Sequence, residues 1–210
     1  MKIKYYLIHG VDSSRKQFML DQFKQYGIDN SDVTWICHPN KNEITKDMVN
    51  AYCAKKDLNR GQISCTIKHY LALKDIVDNQ YEIAVIMEDN VAFKSDVPSR
   101  IHKYLEQLPS DWDTLFDSDW APFIEGPVRP ECIVYKKSNE ATSQCNGGSR
   151  LANFILINLK AATIMYKNYL PFRHVSDWYY NDLLKTYSMN SYWSEPANTY
   201  HMKRQSTATD

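Results

Sequence analysis

Glu88, Asp89 and Asn90 close an unbroken apolar run, Ile83-Ala84-Val85-Ile86-Met87. Five apolar residues without alternation read as a strand buried on both faces of a sheet. The two carboxylates and the amide then fall at the rim of that sheet, where open α/β folds bind their ligands. Oxygen donors at such a rim suit a divalent cation shared with a sugar-nucleotide diphosphate. The plain alternative is that these residues open a polar loop. Asp117 and Asp119, separated by Ser118, also have the spacing of an Asp-x-Asp cation motif, although a turn after the strand ending at Phe116 accounts for them more simply. Asp177 stands beside Trp178 and Tyr179, either as a base next to an aromatic wall or as a helix-start carboxylate facing the helix dipole.

The elements that must position these groups can be read in order. Lys4 to Ile8 reads as a strand, followed by the turn His9-Gly10-Val11-Asp12. A helix is predicted from about Ser14, where Ser14 and Gln17 have capping-box spacing, with Phe18, Phe23 and Tyr26 inward and Gly27 as the stop. Gly10 lets the backbone approach a ligand. Arg15, in the first turn of that helix, is placed to meet a phosphate or a base edge, or else is a solvated surface arginine. Val33 to Cys37 reads as a second strand, and Thr45 to about Lys56 as a helix. Asn59 and Gln62 again have capping-box spacing, ahead of a stripe of Ile63, Ile67, Tyr70, Leu73 and Val77. Lys68 and His69 lie off that stripe. The order strand, helix, strand, helix, helix, strand predicts an α/β sandwich with a mainly parallel sheet.

Downstream, strands are predicted over Asp113 to Phe116, Cys132 to Lys136 and Asn153 to Ile157, with helices from about Lys160 and from Asp177. Residues 137–150 are polar and contain Asn146-Gly147-Gly148-Ser149, the best candidate for a lid or acceptor loop. Lysine plus arginine and aspartate plus glutamate number 25 each, so no global field favours nucleic acid or an anionic membrane. No apolar run approaches the roughly 20 residues needed to cross a bilayer. Five widely spaced cysteines without a Cys-x-x-Cys pair argue against a zinc ribbon and a fully paired disulfide framework. Reduced thiols and a cytoplasmic location are the expectation.

Gly61-Gln62-Ile63-Ser64-Cys65 followed by Lys68-His69 resembles the Gly-Glu-x-Gly-Cys…Ser-His helix of glycosyltransferase family 25, which includes bacterial lipooligosaccharide and procollagen galactosyltransferases. The next family landmark, an apolar strand ending Glu-Asp-Asp, is similar to Ile86-Met87-Glu88-Asp89-Asn90. The opening strand and arginine-bearing turn match Leu7-Ile8-His9-Gly10 and Arg15. Trp112-Asp113-Thr114-Leu115 resembles a Trp-Asp strand, and Ala152 to Ala162 a late strand with an alanine-bearing helix start. Pro171 and Asp177 fall where the family places a proline and an aspartate. Gln62, Ser64, Lys68 and Asn90 depart from the pattern, replacing a glutamate, a glycine, a serine and the last aspartate of the acidic triplet.

The resemblance implies a single GT-A-like domain over residues 1–205, with a mixed, mainly parallel central sheet flanked by helices and a frayed tail over 206–210. It implies transfer of a hexose, galactose or glucose, from a uridine diphosphate (UDP) sugar to a hydroxyl of a glycan or protein acceptor. The implied donor contacts are His9, Gly10, Arg15, Lys68, His69 and Glu88. The implied ligands of a manganese or magnesium ion are Asp89, Asn90 and the late histidine His201, and Asp177 is the implied base. At a strand end, Asp89 is expected near solvent, so that its loss costs little stability. Asn90 offers a cation a carbonyl oxygen without negative charge, which keeps open a catalytically silent nucleotide- or glycan-binding module. A different phosphate-handling enzyme is a weaker reading, because no glycine-rich phosphate loop is present.

Overall fold

Along the central strand, successive side chains point to opposite faces, and each face meets its own layer of helices. That strand, β3 (Ile83–Glu88), follows β1 (Lys4–Ile8) and β2 (Val33–Ile36) and precedes β4 (Val91–Phe93), β5 (Thr114–Phe116), β6 (Val134–Lys136), β7 (Phe154–Asn158), β8 (Ser191–Ser194) and β9 (Thr199–His201). The helices are α1 (Ser13–Gln25), α2 (Lys46–Tyr52), α3 (Arg60–Asp78), α4 (Val97–Gln107), α5 (Leu159–Asn168) and α6 (Ser176–Thr186). The structure, a computed structural model, describes residues 2–55, 57–118, 129, 131–139 and 151–202. Asp119, Cys145, residues 140–150 of the polar loop and the tail from 206 lie outside the described residues.

Seven strands form one sheet in the order β2-β1-β3-β7-β5-β8-β6. β1 pairs in parallel with both β2 and β3, and β5 with β8, whereas β7 runs antiparallel to β3 and β5, and β6 to β8. Five of the seven strands therefore point the same way, which is the mixed, mainly parallel sheet expected. On one face, Ala84 and Ile86 pack with Ile63, Ile67 and Leu73 of α3, Ala161 and Met165 of α5, and Tyr180 and Leu184 of α6. On the other, Val85 and Met87 pack with Met19 and Phe23 of α1 and Ile101 and Tyr104 of α4. This double covering explains why β3 shows no polar alternation.

Two local expectations need correction. Helix α1 begins at Ser13, next to the expected start near Ser14, but its cap is Asp12, whose carboxylate accepts from the amides of Ser14 and Arg15, and not the Ser14–Gln17 capping box. The Asn59–Gln62 capping box of α3 forms as expected. Lys68 and His69, however, are buried although they lie off the apolar stripe. Helix α3 packs against α5 as well as beneath the sheet and meets α6, so it has little solvent face near its middle.

Asp117 also differs from the Asp-x-Asp reading. Its buried carboxylate accepts from the Ser194 hydroxyl and the Asn198 amide at 2.7 Å each, and from the Tyr104 hydroxyl at 3.0 Å. A carboxylate with these three donors fastens the turn between β8 and β9 to the core. Strand β9 pairs antiparallel with β4, the short strand that leaves the Asn90 turn. Asp117 thereby helps to fix β9, and with it His201, beside the end of β3.

Candidate functional site

The carboxyl ends of β1 and β3 are adjacent, Ile8 being in register with Glu88. The chain leaves β1 through His9-Gly10 into α1, and leaves β3 through Asp89-Asn90 into β4. The two turns are tied by one carboxylate. Asp89 Oδ2 lies 2.8 Å from His9 Nδ1 and accepts from the Gly10 amide at 2.9 Å, while Oδ1 accepts from the Arg15 guanidinium at 2.7 Å. Asp89 and Arg15 are each only 5% exposed, so Asp89 is not near solvent as its place at a strand end suggested. Burial pushes the Asp89 carboxyl up, but His9, the Gly10 amide and Arg15 together outweigh that and hold it below the usual carboxylate range.

Glu88 faces the opposite way, toward α3. Its Oε1 is 3.1 Å from His69 Nε2, and its Oε2 accepts from the Asn90 amide nitrogen at 3.3 Å. Burial raises this carboxyl too, and the hydrogen bond and charge of His69 bring it below its ordinary value. The other ring nitrogen of His69, Nδ1, lies 3.3 Å from the Tyr180 hydroxyl of α6. Lys68, one residue back, donates from Nζ to the His9 carbonyl at 2.8 Å and braces the first turn from below. Its burial lowers the ammonium pKa.

On the far side of Glu88, Asn90 Nδ2 lies 3.2 Å from His201 Nε2. The Asn90 carbonyl oxygen, Oδ1, is buried and has no hydrogen-bond partner among the described residues. A buried amide oxygen left in this way is the kind of atom that a cation or an ordered water satisfies. An oxygen and an imidazole nitrogen are donors compatible with manganese or magnesium, so the residues present fit such an ion.

These groups surround a cleft of about 450 Å³. His9, Gly10, Arg15, Lys68, Glu88, Asp89 and Asn90 line it, together with Lys41, Asn42, Ser64 and Cys65. Beyond the His9–Asp12 turn a second hollow of about 580 Å³ is walled by Leu20, Trp35 and Val11. Of the ten residues singled out in the sequence, seven therefore line one cleft, and His201 and His69 touch Asn90 and Glu88 respectively. Asp177, at the start of α6, does not line the cleft. It is half-buried, its own Oδ1 accepts from the Trp178 amide at 2.9 Å, and burial followed by the nearby Glu88 charge raises its pKa. Sequence reasoning missed Tyr180, which a pattern of buried aromatics does not distinguish from core, and the Lys41-Asn42 wall, whose only signal was a polar run between a strand and a helix.

The class of protein defined by this arrangement is a doubly covered α/β sheet with a charged crevice at the carboxyl edge of its parallel strands. The chain belongs to glycosyltransferase family 25: the model of that family, described as LPS biosynthesis protein, matches residues 3–179. It is similar to procollagen galactosyltransferase 2 of Homo sapiens, 26% identical over 66 residues, which are 30% of this chain and 10% of that protein. It is also similar to a probable inactive glycosyltransferase 25 family member 3 of Bos taurus, 25% identical over 29% of this chain and 11% of that protein. The matched segment thus spans about a tenth of the length of these curated relatives. Among solved structures, A197 from STIV shares the fold, with a TM-score of 0.54 at 11% identity over 97% of this chain and 87% of that one. The sheet is the mixed, mainly parallel one flanked by helices that the resemblance implied. No helix among the described residues is long and apolar enough to cross a membrane. Cys37, Cys53, Cys65 and Cys132 are free thiols.

Proposed function

We propose that this chain transfers a hexose, galactose or glucose, from a UDP sugar to a hydroxyl of a glycan or protein acceptor, with a manganese or magnesium ion at the diphosphate. The observation that carries this reading is the cleft at the ends of β1 and β3. Lysine and arginine side chains line it, and at its rim the Asn90 oxygen is buried beside His201 with no partner among the described residues. The proposed ligands of the ion are Asp89, Asn90 and His201. Asp89 would share oxygens that already accept from His9, Gly10 and Arg15. The ion, when bound, offsets negative charge growing on the departing diphosphate.

The chain's own residues do the rest. Arg15 and Lys68 hold the two turns that frame the cleft and supply positive charge to it. The Gly10 backbone allows close approach of a phosphate. Trp35 and Leu20 offer the neighbouring hollow as an apolar seat for the base. Glu88, oriented by His69, contacts the donor ribose or sugar. Asp177 takes the proton of the acceptor hydroxyl, its raised pKa bringing it nearer to that of an effective general base. A cytoplasmic location accompanies this proposal.

Asn90 favours one second reading, a silent module of the same fold that binds nucleotide or glycan without turnover, because a neutral amide stands where a carboxylate would hold the ion more strongly. Titrating UDP with and without manganese, then scoring a panel of nucleotide sugars for hydrolysis and transfer, separates the two. Metal-dependent binding with turnover of one UDP-hexose is the expected result. Binding without turnover of any donor, across glycan and hydroxyl-bearing peptide acceptors, points to the module. Absence of UDP binding overturns both.

A further inference from the structure

Cys65 and His69 are four residues apart on α3 and so share one face of that helix. Glu88, from the end of β3, lies against the same face. Cys65 Sγ is 3.7 Å from Glu88 Oε1, and His69 Nε2 is 3.1 Å from that oxygen. All three donor atoms lie within 4.8 Å of one another. Around a tetrahedral zinc ion, with bonds of about 2.0–2.3 Å, neighbouring ligand atoms stand roughly 3.3–3.8 Å apart. The Cys65–Glu88 contact at 3.7 Å falls inside that range and the His69–Glu88 contact at 3.1 Å just short of it, so small side-chain shifts would bring the three atoms to ligand spacing.

We propose that Cys65, His69 and Glu88 form a thiolate–imidazole–carboxylate site for a soft divalent cation of the zinc class, separate from the oxygen-and-imidazole pair at Asn90 and His201. The second ring nitrogen of His69 meets the Tyr180 hydroxyl at 3.3 Å, the kind of outer contact that orients a ligating imidazole and fixes its tautomer. Cys65 and Glu88 both line the cleft, so an ion has a path of entry from that cavity. A thiolate favours zinc over magnesium and manganese, which prefer oxygen. On binding, the sulfur–metal bond replaces the S–H bond, and the thiol proton leaves to solvent. The proposal does not depend on the chain's using a sugar nucleotide, since the ligands are the protein's own.

Cobalt titration of the full chain, reduced and stripped of metal, tests it. The expected result is a near-ultraviolet thiolate-to-cobalt charge-transfer band that saturates at a single equivalent and is bleached by zinc. Cys65→Ser should abolish the band, while Cys37→Ser, Cys53→Ser and Cys132→Ser keep it. Glu88→Gln, which preserves shape, should weaken cobalt binding by at least roughly tenfold and decides the matter should Cys65→Ser fail to fold. No charge-transfer band in the wild-type chain, a band that survives in folded Cys65→Ser, or unchanged cobalt affinity in Glu88→Gln would overturn the site. None of these readouts involves nucleotide, so failure here is distinguishable from failure of the transferase reading.

Discussion

Asn90 and His201 are 111 positions apart in the chain, yet the Asn90 amide nitrogen lies 3.2 Å from His201 Nε2. The β4–β9 ribbon makes this contact, because Val91 is in register with His201 itself. Asn90 stands two residues past Glu88, and the pair leaves its carbonyl oxygen available to a ligand.

Asn90→Asp should tighten manganese by about an order of magnitude, roughly 1.4 kcal/mol, because an anionic oxygen next to a divalent cation gains more than a neutral carbonyl. Isothermal calorimetry of the wild-type chain and the variant measures it. Equal or weaker affinity in the variant would mean that Asn90 does not face the ion.

Asp89→Asn should destabilise the fold by about 3 kcal/mol, since it removes the buried carboxylate that pairs with Arg15 at 2.7 Å and leaves the half-exposed Asp12 at 4.0 Å as a weaker partner. The acid dependence follows from the lowered carboxyl. The folded state binds this proton more weakly than the unfolded chain, so stability rises with pH through the window. The contribution of Asp89 is complete above the unfolded value of about 3.9 and is lost as pH falls through the lower folded value. Urea denaturation at several acidic pH values checks this. A variant as stable as wild type at neutral pH would remove Asp89 from its structural role. Retained manganese-dependent nucleotide binding would remove it from the ion.

Asp177→Asn should lower sugar transfer by roughly 100-fold or more, the range for loss of a general base, while UDP affinity hardly changes. With its pKa raised, Asp177 must lose its proton before it can act, so the wild-type rate should climb with pH through a midpoint above the ordinary carboxylate range. The variant should lack that rise. Transfer at the wild-type rate would return Asp177 to a helix-start carboxylate.

Asp117→Asn should cost about 1–3 kcal/mol of stability, because an amide places a donor among the three donors that now converge on the carboxylate. Manganese affinity should fall with it, as the turn that carries β9 loosens. Chemical denaturation and calorimetry on one preparation measure the two effects. Unaltered stability would show that Asp117 does not hold the turn.

The sequence by itself determined the features that depend on near neighbours in the chain. Strand β3 was legible because double burial leaves an unbroken apolar run. Helix α3 was legible because a capping box and a helical stripe are both local patterns, and the acidic end of β3 followed from where the run stops. Family motifs added which of these residues share a site. Only the tertiary structure decided the rest. The antiparallel course of β7 between two strands of the opposite sense, the inward turn of Asp117, the burial of Lys68 and His69 and the meeting of Asn90 with His201 all depend on partners far away in sequence. Asp89 shows the division most clearly. Its position at a strand end was local information and suggested solvent. Its burial is set by His9, Gly10 and Arg15, 74 to 80 residues earlier, whose hydrogen bonds and charge offset the cost of taking a carboxylate out of water.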